Sequence, residues 1–310
     1  MSRLAKILLV VVLLGATATA FAVTERLKLE RSPITGTRVD KVFSPVCECA
    51  RDVAVISFRL RKPETVTVTV IDSAGRSVQT LVRRQHEKAG RVSYTWDGRD
   101  GLGRVVPEGR YRSKVELAAH GRTIVLPNPI RVDTTDPTIR VVRVAPRVIS
   151  PDGDGRGDRV TASYVVSEPA RATMLVDGRR RVIGRFRKLS GQLVWYGIVD
   201  GKPVRQGTYA VRLRAIDQAG NRSLATPEVR ITVRYVQLAR DRVTAVAGKQ
   251  FKIGVSSDAV SYRWLFVGKR GIGDRRVLRL RAPDTPGAYT LYVTVGHHAD
   301  KAAVIVSARK

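Results

Sequence analysis

Apolar and polar residues alternate along most of this chain, from about residue 53 to its end. In segment 66–70, every second residue is a valine and threonines separate them, and segment 211–215 alternates apolar residues with arginines in the same way. A period of two with β-branched residues is typical of strands that are buried on one face. Short runs rich in Gly, Asp and Asn separate these segments and predict tight turns. The pattern predicts an all-β fold of the sandwich or barrel type, with no helix after residue 30.

The first 23 residues follow a different pattern. Arg3 and Lys6 precede an unbroken apolar run, and the segment ends in Ala20-Phe21-Ala22. A charged start, an apolar centre and an A-x-A end are the features of a secretory signal peptide. An uncleaved signal-anchor helix is the alternative, since the uncharged stretch is close to the ~17 residues needed to cross a bilayer. Both interpretations place the rest of the chain outside the cytoplasm, because positive charges before an apolar segment stay on the cytoplasmic side.

Two copies of one unit follow each other along the chain. With a shift of 106 positions, Ser44-Pro45 falls on Ser150-Pro151, and farther on Trp96 corresponds to Trp195. A Gly-x-Tyr element follows each of these tryptophans, and a third tryptophan, Trp264, precedes a third such element. Such an internal repeat predicts successive domains of one fold. The predicted segments are 1–23 for the signal peptide or signal-anchor, 24–38 for a linker, 39–135 and 136–235 for two repeated domains, and 236–310 for a related third domain.

The aromatic residues of these repeats are predicted to be structural. A buried tryptophan and a tyrosine at the start of a late strand are features of immunoglobulin-like (Ig-like) sandwiches. We therefore expect them to form cores and corners rather than platforms for a ligand. The predicted core residues are Trp96, Tyr111, Trp195, Tyr209, Trp264 and Tyr289.

The first two repeats resemble the Ig-like domain of flagellar hook-capping proteins, a module that also occurs in tandem on secreted bacterial proteins. The matching segments are 95–100 (TWDGRD) and 106–111 (VPEGRY), and more loosely 195–209. Segment 149–158 (ISPDGDGRGD) is similar to the Ser-Pro-Asn-Gly-Asp-Gly opening of bacterial surface modules. The resemblance implies tandem Ig-like domains over about two thirds of the chain, and the third segment is similar to bacterial Ig or PKD-type domains. It implies a fold rather than a function, because such a fold is a platform for many functions.

Loop 152–158 is a candidate calcium site, because it places three carboxylates on a glycine-rich backbone. It does not follow the EF-hand pattern: with Asp152 in the first position, Arg156 takes the fifth and Ser163 the twelfth. Aspartate and glycine are also what a tight turn requires, and this second interpretation stays open. The candidate ligands are Asp152, Asp154 and Asp158, and we predict no other cofactor.

Cys47 and Cys49 are the two cysteines of the chain, and they replace Gly153 and Gly155 of the second repeat. Outside the cytoplasm, two thiols this close are expected to be oxidised. A disulfide between them would close a tight ring and stiffen the loop. The alternatives are bridges to a partner protein and, less in keeping with an all-β context, a redox or metal-binding role.

The chain is strongly basic, with 56 Lys and Arg against 27 Asp and Glu and a net charge of +29. Outside a cell the partners of such a protein are anionic: phosphate-bearing wall polymers, lipid head groups or extracellular DNA. A solvated basic surface with no partner is the alternative. Specific recognition of nucleic acid is not expected, because Phe186 is the one aromatic residue in the densest basic cluster. That cluster consists of Arg179, Arg180, Arg181, Arg185, Arg187 and Lys188.

The sequence contains no G-x-S-x-G, H-E-x-x-H or phosphate-binding glycine motif, and its four histidines form no metal-binding pattern. We therefore predict a non-enzymatic structural or adhesive protein of the cell envelope, either secreted or anchored by its N-terminal segment. Its loops and basic surfaces would contact anionic envelope polymers, lipid head groups or another envelope protein. The alternatives are an accessory or binding subunit of an envelope enzyme or of a secretion or flagellar-type assembly, and an enzyme whose carboxylate pair is formed only in space.

Overall fold

The computed structural model describes residues 11–21 and 32–309, and it divides the chain into two compact units, Met1–Thr134 and Thr135–Lys310. A helix covers residues 11–21, and the rest of the described chain consists of strands and loops. The predicted all-β fold is confirmed. Much of the predicted signal peptide and of the linker that follows it lies outside the described residues. Among the helices that the structure does describe, none is both long and apolar enough to cross a membrane.

The first unit contains one β-sandwich, which we call the first sandwich. One of its sheets has the order β1-β3-β6, and the other has the order β2-β9-β7-β4-β5 with β8 beside β7. Its strands are β1 (Ile34–Val39), β2 (Val42–Phe43), β3 (Ala54–Leu60), β4 (Glu64–Ile71), β5 (Ser77–Glu87), β6 (Gly90–Trp96), β7 (Gly109–Leu117), β8 (Arg122–Val125) and β9 (Ile130–Val132).

Aromatic rings join the two sheets of the first sandwich. Trp96 is fully buried, and its ring lies edge-on to those of Tyr111 and Phe43, at centroid distances of 5.1 and 5.5 Å. The Trp96 indole N–H donates to the Arg99 carbonyl, and the Tyr111 hydroxyl donates to the Pro107 carbonyl 2.7 Å away. These bonds satisfy the polar ends of both rings inside an apolar core, as buried Trp and Tyr require.

The second unit contains two sandwiches, and the second sandwich of the chain repeats the plan of the first. Its strand β12 runs through both sheets: residues 160–166 pair with β10 and β14, and residues 171–176 pair with β13 and β17. In the first sandwich two separate strands, β3 and β4, occupy these places. The strands are β10 (Ile139–Ala145), β11 (Val148–Ile149), β12 (Val160–Val176), β13 (Arg179–Ile183), β14 (Lys188–Trp195), β15 (Ile198–Val199), β16 (Lys202–Pro203), β17 (Gly207–Ile216) and β18 (Val229–Val233).

The third sandwich has sheets of order β19-β21-β24 and β20-β26-β25-β22-β23. Its buried aromatic residues are Phe251, Tyr262 and Phe266, whereas the predicted core residues Trp264 and Tyr289 are half-buried and pack against this core. Its strands are β19 (Gln237–Leu238), β20 (Arg242–Val246), β21 (Gln250–Ser256), β22 (Tyr262–Phe266), β23 (Lys269–Gly273), β24 (Val277–Arg281), β25 (Gly287–Val295) and β26 (His298–Ser307).

Tyr235 links the second and third sandwiches. Its side chain is fully buried, its hydroxyl donates to the Val204 carbonyl 2.7 Å away, and its ring stacks on His298 at 3.4 Å. The Ser257 hydroxyl donates to the Tyr235 carbonyl. Burial, with smaller contributions from neighbouring groups, raises the pKa of Tyr235 to about 12, so the phenol stays a hydrogen-bond donor at neutral pH. The residue therefore bonds to one sandwich while its ring contacts the other.

We expect Tyr235→Phe to lower the free energy of unfolding of the second unit by about 1 kcal/mol, because the Val204 carbonyl loses its donor inside the protein. Urea unfolding of the full chain, followed by circular dichroism, measures the change. Tyr292→Phe is the control, since Tyr292 is 41% exposed, and its effect should stay within about 0.5 kcal/mol. Equal effects of the two substitutions would contradict the role of the Tyr235 hydroxyl.

Candidate functional site

The predicted basic cluster lies at an edge of the second sandwich. A two-residue turn, Asp177-Gly178, joins β12 to β13, and both of its residues have positive φ, as a tight hairpin turn of this kind requires. The chain then follows β13, crosses the edge between the two sheets at residues 184–187, and continues as β14. All six cluster residues lie on this short path.

Four of the six cations reach the surface, and two are held by the protein. Arg181 is partly buried and lies 3.7 Å from the Asp200 carboxylate. Arg187 is also partly buried, and its Nε donates to the Asp217 carbonyl at 3.2 Å. Among the described residues, the exposed cations form no ion pair with a carboxylate. These exposed cations are Arg179, Arg180, Arg185 and Lys188.

Phe186 lies among these cations. The Arg185 guanidinium carbon is 5.1 Å from the centroid of its ring, and the Lys188 ammonium is 6.0 Å from it. Cations at such distances are attracted to the face of an aromatic ring. The arrangement keeps two positive charges beside an exposed aromatic side chain, and this makes the cluster the strongest candidate for a binding surface.

The acidic loop of the second sandwich brings its three predicted ligands together. One carboxylate oxygen from each of Asp152, Asp154 and Asp158 lies within 4.8 Å of the others. The loop also bonds to itself, because the Asp158 carboxylate accepts the N–H groups of Gly153 and Gly155 at 3.0 and 2.8 Å. Three carboxylates fit a hard cation such as Ca²⁺, but they are equally satisfied as turn acceptors. Calcium binding at this loop stays a prediction.

A fourth carboxylate, Asp258 of the third sandwich, adjoins the acidic loop. It packs so closely on Gly157 that a side chain at that glycine would collide with it, and one of its oxygens is buried without a hydrogen-bond partner. Burial raises the pKa of Asp258, and the charges of Asp154 and Asp158 raise it further. The pKa of Asp152 is raised in the same way, first by burial and then by its acidic neighbours. The contact between these two sandwiches therefore contains like charges that repel each other.

Because the pKa of Asp258 is raised in the folded state, its charge opposes folding at pH 7, and this opposition disappears as the pH falls through the raised pKa. We expect Asp258→Asn to stabilise the second unit at pH 7 by roughly 1 kcal/mol, which corresponds to about 2–4 °C for a unit of this size. The gain should vanish near the ordinary pKa of 3.8. Thermal unfolding at both pH values tests this. Asp284→Asn, which removes a carboxylate that is 87% exposed, is the control, and an equal gain there would contradict the explanation.

The cysteine loop occupies the corresponding place in the first sandwich. Cys47 and Cys49 form a disulfide in the connection between β2 and β3. Backbone bonds close the same loop, from the Ser44 N–H to the Arg51 carbonyl and from the Asp52 N–H to the Cys49 carbonyl. The disulfide thus lies within a loop that the backbone already closes.

The structure also reveals a Glu–His pair that sequence reasoning did not find. Glu64 is 3% exposed, and its carboxylate accepts the N–H groups of Thr65 and Ala119 and lies 2.5 Å from Nδ1 of His120. Burial alone would raise the pKa of Glu64, but the hydrogen bonds from Ala119, His120 and Thr65 outweigh it and hold the pKa low. The pair faces a cleft whose lining contains Arg61, Lys62 and Arg122 but no Ser, Thr or Cys nucleophile. The geometry is that of a structural pair holding the turn between β7 and β8.

We expect Glu64→Ala to lower the free energy of unfolding by about 1–3 kcal/mol at pH 7, because two buried N–H groups lose their acceptor. Glu64→Gln keeps an acceptor and should cost less. Since the pKa of Glu64 is lowered by folding, the contribution of its charge is complete above its ordinary pKa of 4.5 and is lost as the pH falls through the folded pKa. Urea unfolding measures the difference in free energy of unfolding between wild type and Glu64→Gln, and this difference should be smaller below pH 4.5 than at pH 7. A difference that does not change with pH would contradict this account.

Comparisons with known proteins identify the type of domain. A family model described as the FlgD Ig-like domain matches residues 50–121. No curated protein matches the chain. The crystal structure of FlgD from P. aeruginosa is 24% identical and covers 37% of this chain and 84% of that chain, with a TM-score of 0.24. The family-model match agrees with the resemblance predicted for the first repeat, and the chain contains tandem Ig-like domains, as its sequence predicts.

Other solved structures match the chain at lower identity. Fibronectin(III)-like modules of CbhA from Clostridium thermocellum are 15% identical and cover 64% of this chain and 94% of that chain, with a TM-score of 0.39. The titin I-band fragment I67–I69 is 10% identical and covers 91% of this chain and 100% of that chain, with a TM-score of 0.30. At these TM-scores the two likenesses carry no argument about this chain.

Proposed function

We propose that this chain is an exported, non-enzymatic protein of the cell envelope whose tandem Ig-like domains present basic surfaces to an anionic partner. The observation that carries the proposal is the group of four exposed cations at the edge of the second sandwich: Arg179, Arg180, Arg185 and Lys188. Cations that the protein leaves without carboxylate partners remain available to a ligand. The N-terminal sequence supports export, because its order of charged, apolar and small residues is that of a secretory signal or signal-anchor.

The distribution of charge supports binding by several domains at once. The net charge of +29 extends over all parts of the chain, so each sandwich can contribute an attraction of its own. Single contacts between exposed charges are weak in water. Linked domains on one polymer or surface convert weak contacts into a strong combined attachment, because each later contact forms within an existing complex.

The chemistry of the cleft beside Glu64 supports a non-enzymatic role. The Glu64–His120 pair is the one carboxylate–imidazole contact within hydrogen-bond distance in the part of the chain that the structure describes. One oxygen of its carboxylate accepts the N–H groups of Thr65 and Ala119, the other contacts the His120 ring, and no Ser, Thr or Cys side chain lines the cleft beside the ring. A site that works by covalent acyl transfer needs a Ser, Thr or Cys side chain within reach of such a base.

A second candidate function is that of an accessory or binding subunit in an envelope enzyme or in a secretion or flagellar-type assembly. The match of residues 50–121 to the FlgD Ig-like domain favours it. Such a subunit would bind one partner protein through a complementary interface, and this kind of interface depends less on long-range charge than a basic surface does.

Binding of the purified full chain to isolated cell envelopes, measured by co-sedimentation at increasing NaCl, distinguishes the two functions. Between about 0.1 and about 1 M salt the screening length falls from about 10 to about 3 Å, so electrostatic attachment should be lost. Near an anionic surface, each Lys or Arg strengthens binding by about fivefold. Because the contacts of neighbouring cations partly overlap, replacing all four exposed cations by Gln should weaken binding at least about tenfold at the lower salt. Attachment that resists salt and recovers one stoichiometric protein would overturn the proposal in favour of the accessory subunit.

The matched control replaces four exposed cations of the third sandwich by Gln, which leaves the net charge equal to that of the first variant. The control residues are Lys252, Lys269, Arg270 and Arg279. The proposal requires the control to bind more tightly than the cluster variant. Equal losses in the two variants would contradict the assignment of binding to the edge of the second sandwich.

A further inference from the structure

The basic cluster also contains a group of exposed apolar side chains. Ile183, Phe186 and Leu189 are 48%, 58% and 55% exposed. They follow one another at intervals of three residues: Ile183 ends β13, Phe186 lies in the crossing between the two sheets, and Leu189 lies in β14. We call this group the apolar tip. Single exposed apolar residues are common, but three of them within seven residues, interspersed with cations, are typical of an interaction surface.

The backbone holds the apolar tip in a fixed place. Ile183 pairs with Thr173 in the second half of β12, and Lys188 pairs with Ala170, where β12 passes from one sheet to the other. Between them, the Gly184 N–H donates to the Ala172 carbonyl at 2.8 Å, and Arg187 is tied to the Asp217 carbonyl. The segment is therefore a hydrogen-bonded edge of the sandwich that presents its apolar side chains to solvent.

The first sandwich shows that the fold does not require this apolar group. Its corresponding crossing, from β5 to β6, is also basic, with Arg83, Arg84 and Lys88 exposed. Within residues 83–91, all of them described, no large apolar side chain is exposed. The two repeats therefore share a basic edge, and the apolar tip is a property of the second repeat alone.

We propose that the apolar tip and the cations around it dock the second sandwich on the surface of an anionic phospholipid bilayer. Residues of both kinds have a place at such a surface: cations pair with head-group phosphates, and aromatic and aliphatic side chains enter the boundary between head groups and acyl chains. A wall polymer or a nucleic acid would satisfy Arg185 and Lys188 but offers no apolar layer for Ile183 and Leu189. This inference rests on the proposed function, because it names the anionic partner of the same basic surface.

The test uses the full chain and sedimentation with two kinds of vesicle, phosphatidylcholine alone and phosphatidylcholine mixed with phosphatidylglycerol. We expect binding to the mixed vesicles and little binding to phosphatidylcholine. Phe186→Ser with Leu189→Ser should weaken binding to the mixed vesicles roughly tenfold, because the apolar anchor is lost while every charge remains. The matched control is Leu224→Ser with Ile272→Ser, at positions 91% and 74% exposed, and it should bind as wild type does.

A second variant reports insertion directly. In Phe186→Trp, the new indole should be quenched by brominated phosphatidylcholine in mixed vesicles, beyond any quenching of the three native tryptophans. Thermal unfolding in solution verifies that each variant is folded. Binding of the Phe186→Ser, Leu189→Ser variant at wild-type strength, or no added quenching in the Phe186→Trp variant, would overturn the inference. If vesicles are not bound but isolated wall polymer is, the inference fails and the proposed function stands; if no anionic probe is bound, both fail.

Discussion

The contact between one tryptophan and one tyrosine across the two sheets is the interaction on which each repeat depends. Trp96 meets Tyr111 at 5.1 Å, and Trp195 meets Tyr209 at 5.7 Å. In both repeats the tyrosine hydroxyl donates to a carbonyl four residues earlier, which fixes the start of the strand against the loop before it. Because the rings are bonded at their polar ends and packed at their apolar faces, they define one spacing of the sheets. The edges and loops can then differ between repeats without loss of the fold.

The two repeats use this freedom differently. The loop that contains the disulfide in the first repeat contains three carboxylates in the second, and the basic crossing of the first gains exposed apolar residues in the second. Pro63 separates β3 from β4, whereas its counterpart Pro169 lies inside the continuous strand β12. Pro169 falls where the pairing of β12 with β14 is irregular, a position at which proline removes no ladder hydrogen bond. The chemical differences between the repeats are thus concentrated at loops and edges.

Much of the fold could be predicted from the sequence, because alternation, turn residues and repeated aromatics are local signals. The pairing of Glu64 with His120 could not, since the two residues are 56 positions apart and no pattern links them. The third sandwich also shows a limit: Trp264 and Phe266 lie on the same face of β22, and alternation alone does not say which is more buried. Trp264 lies against Gly271 on the neighbouring strand, where the absence of a side chain leaves room for the indole. The apolar tip was not predicted from the sequence either, because arginines and a lysine separate its three apolar residues and leave neither a strand pattern nor a helix pattern.

Charge and apolar surface act over different distances, and the edge of the second sandwich combines them. The net charge of +29 attracts an anionic surface from about a Debye length away, but this attraction is diffuse and gives no orientation. Phe186 acts only on contact, and in water the nearby Arg185 and Lys188 interact with its ring and make its exposure less unfavourable. At a bilayer the same cations can turn to phosphates while the ring enters the apolar layer. Long-range attraction would then bring the protein to the surface, and a short-range contact at one rigid edge would decide which side of the sandwich faces it.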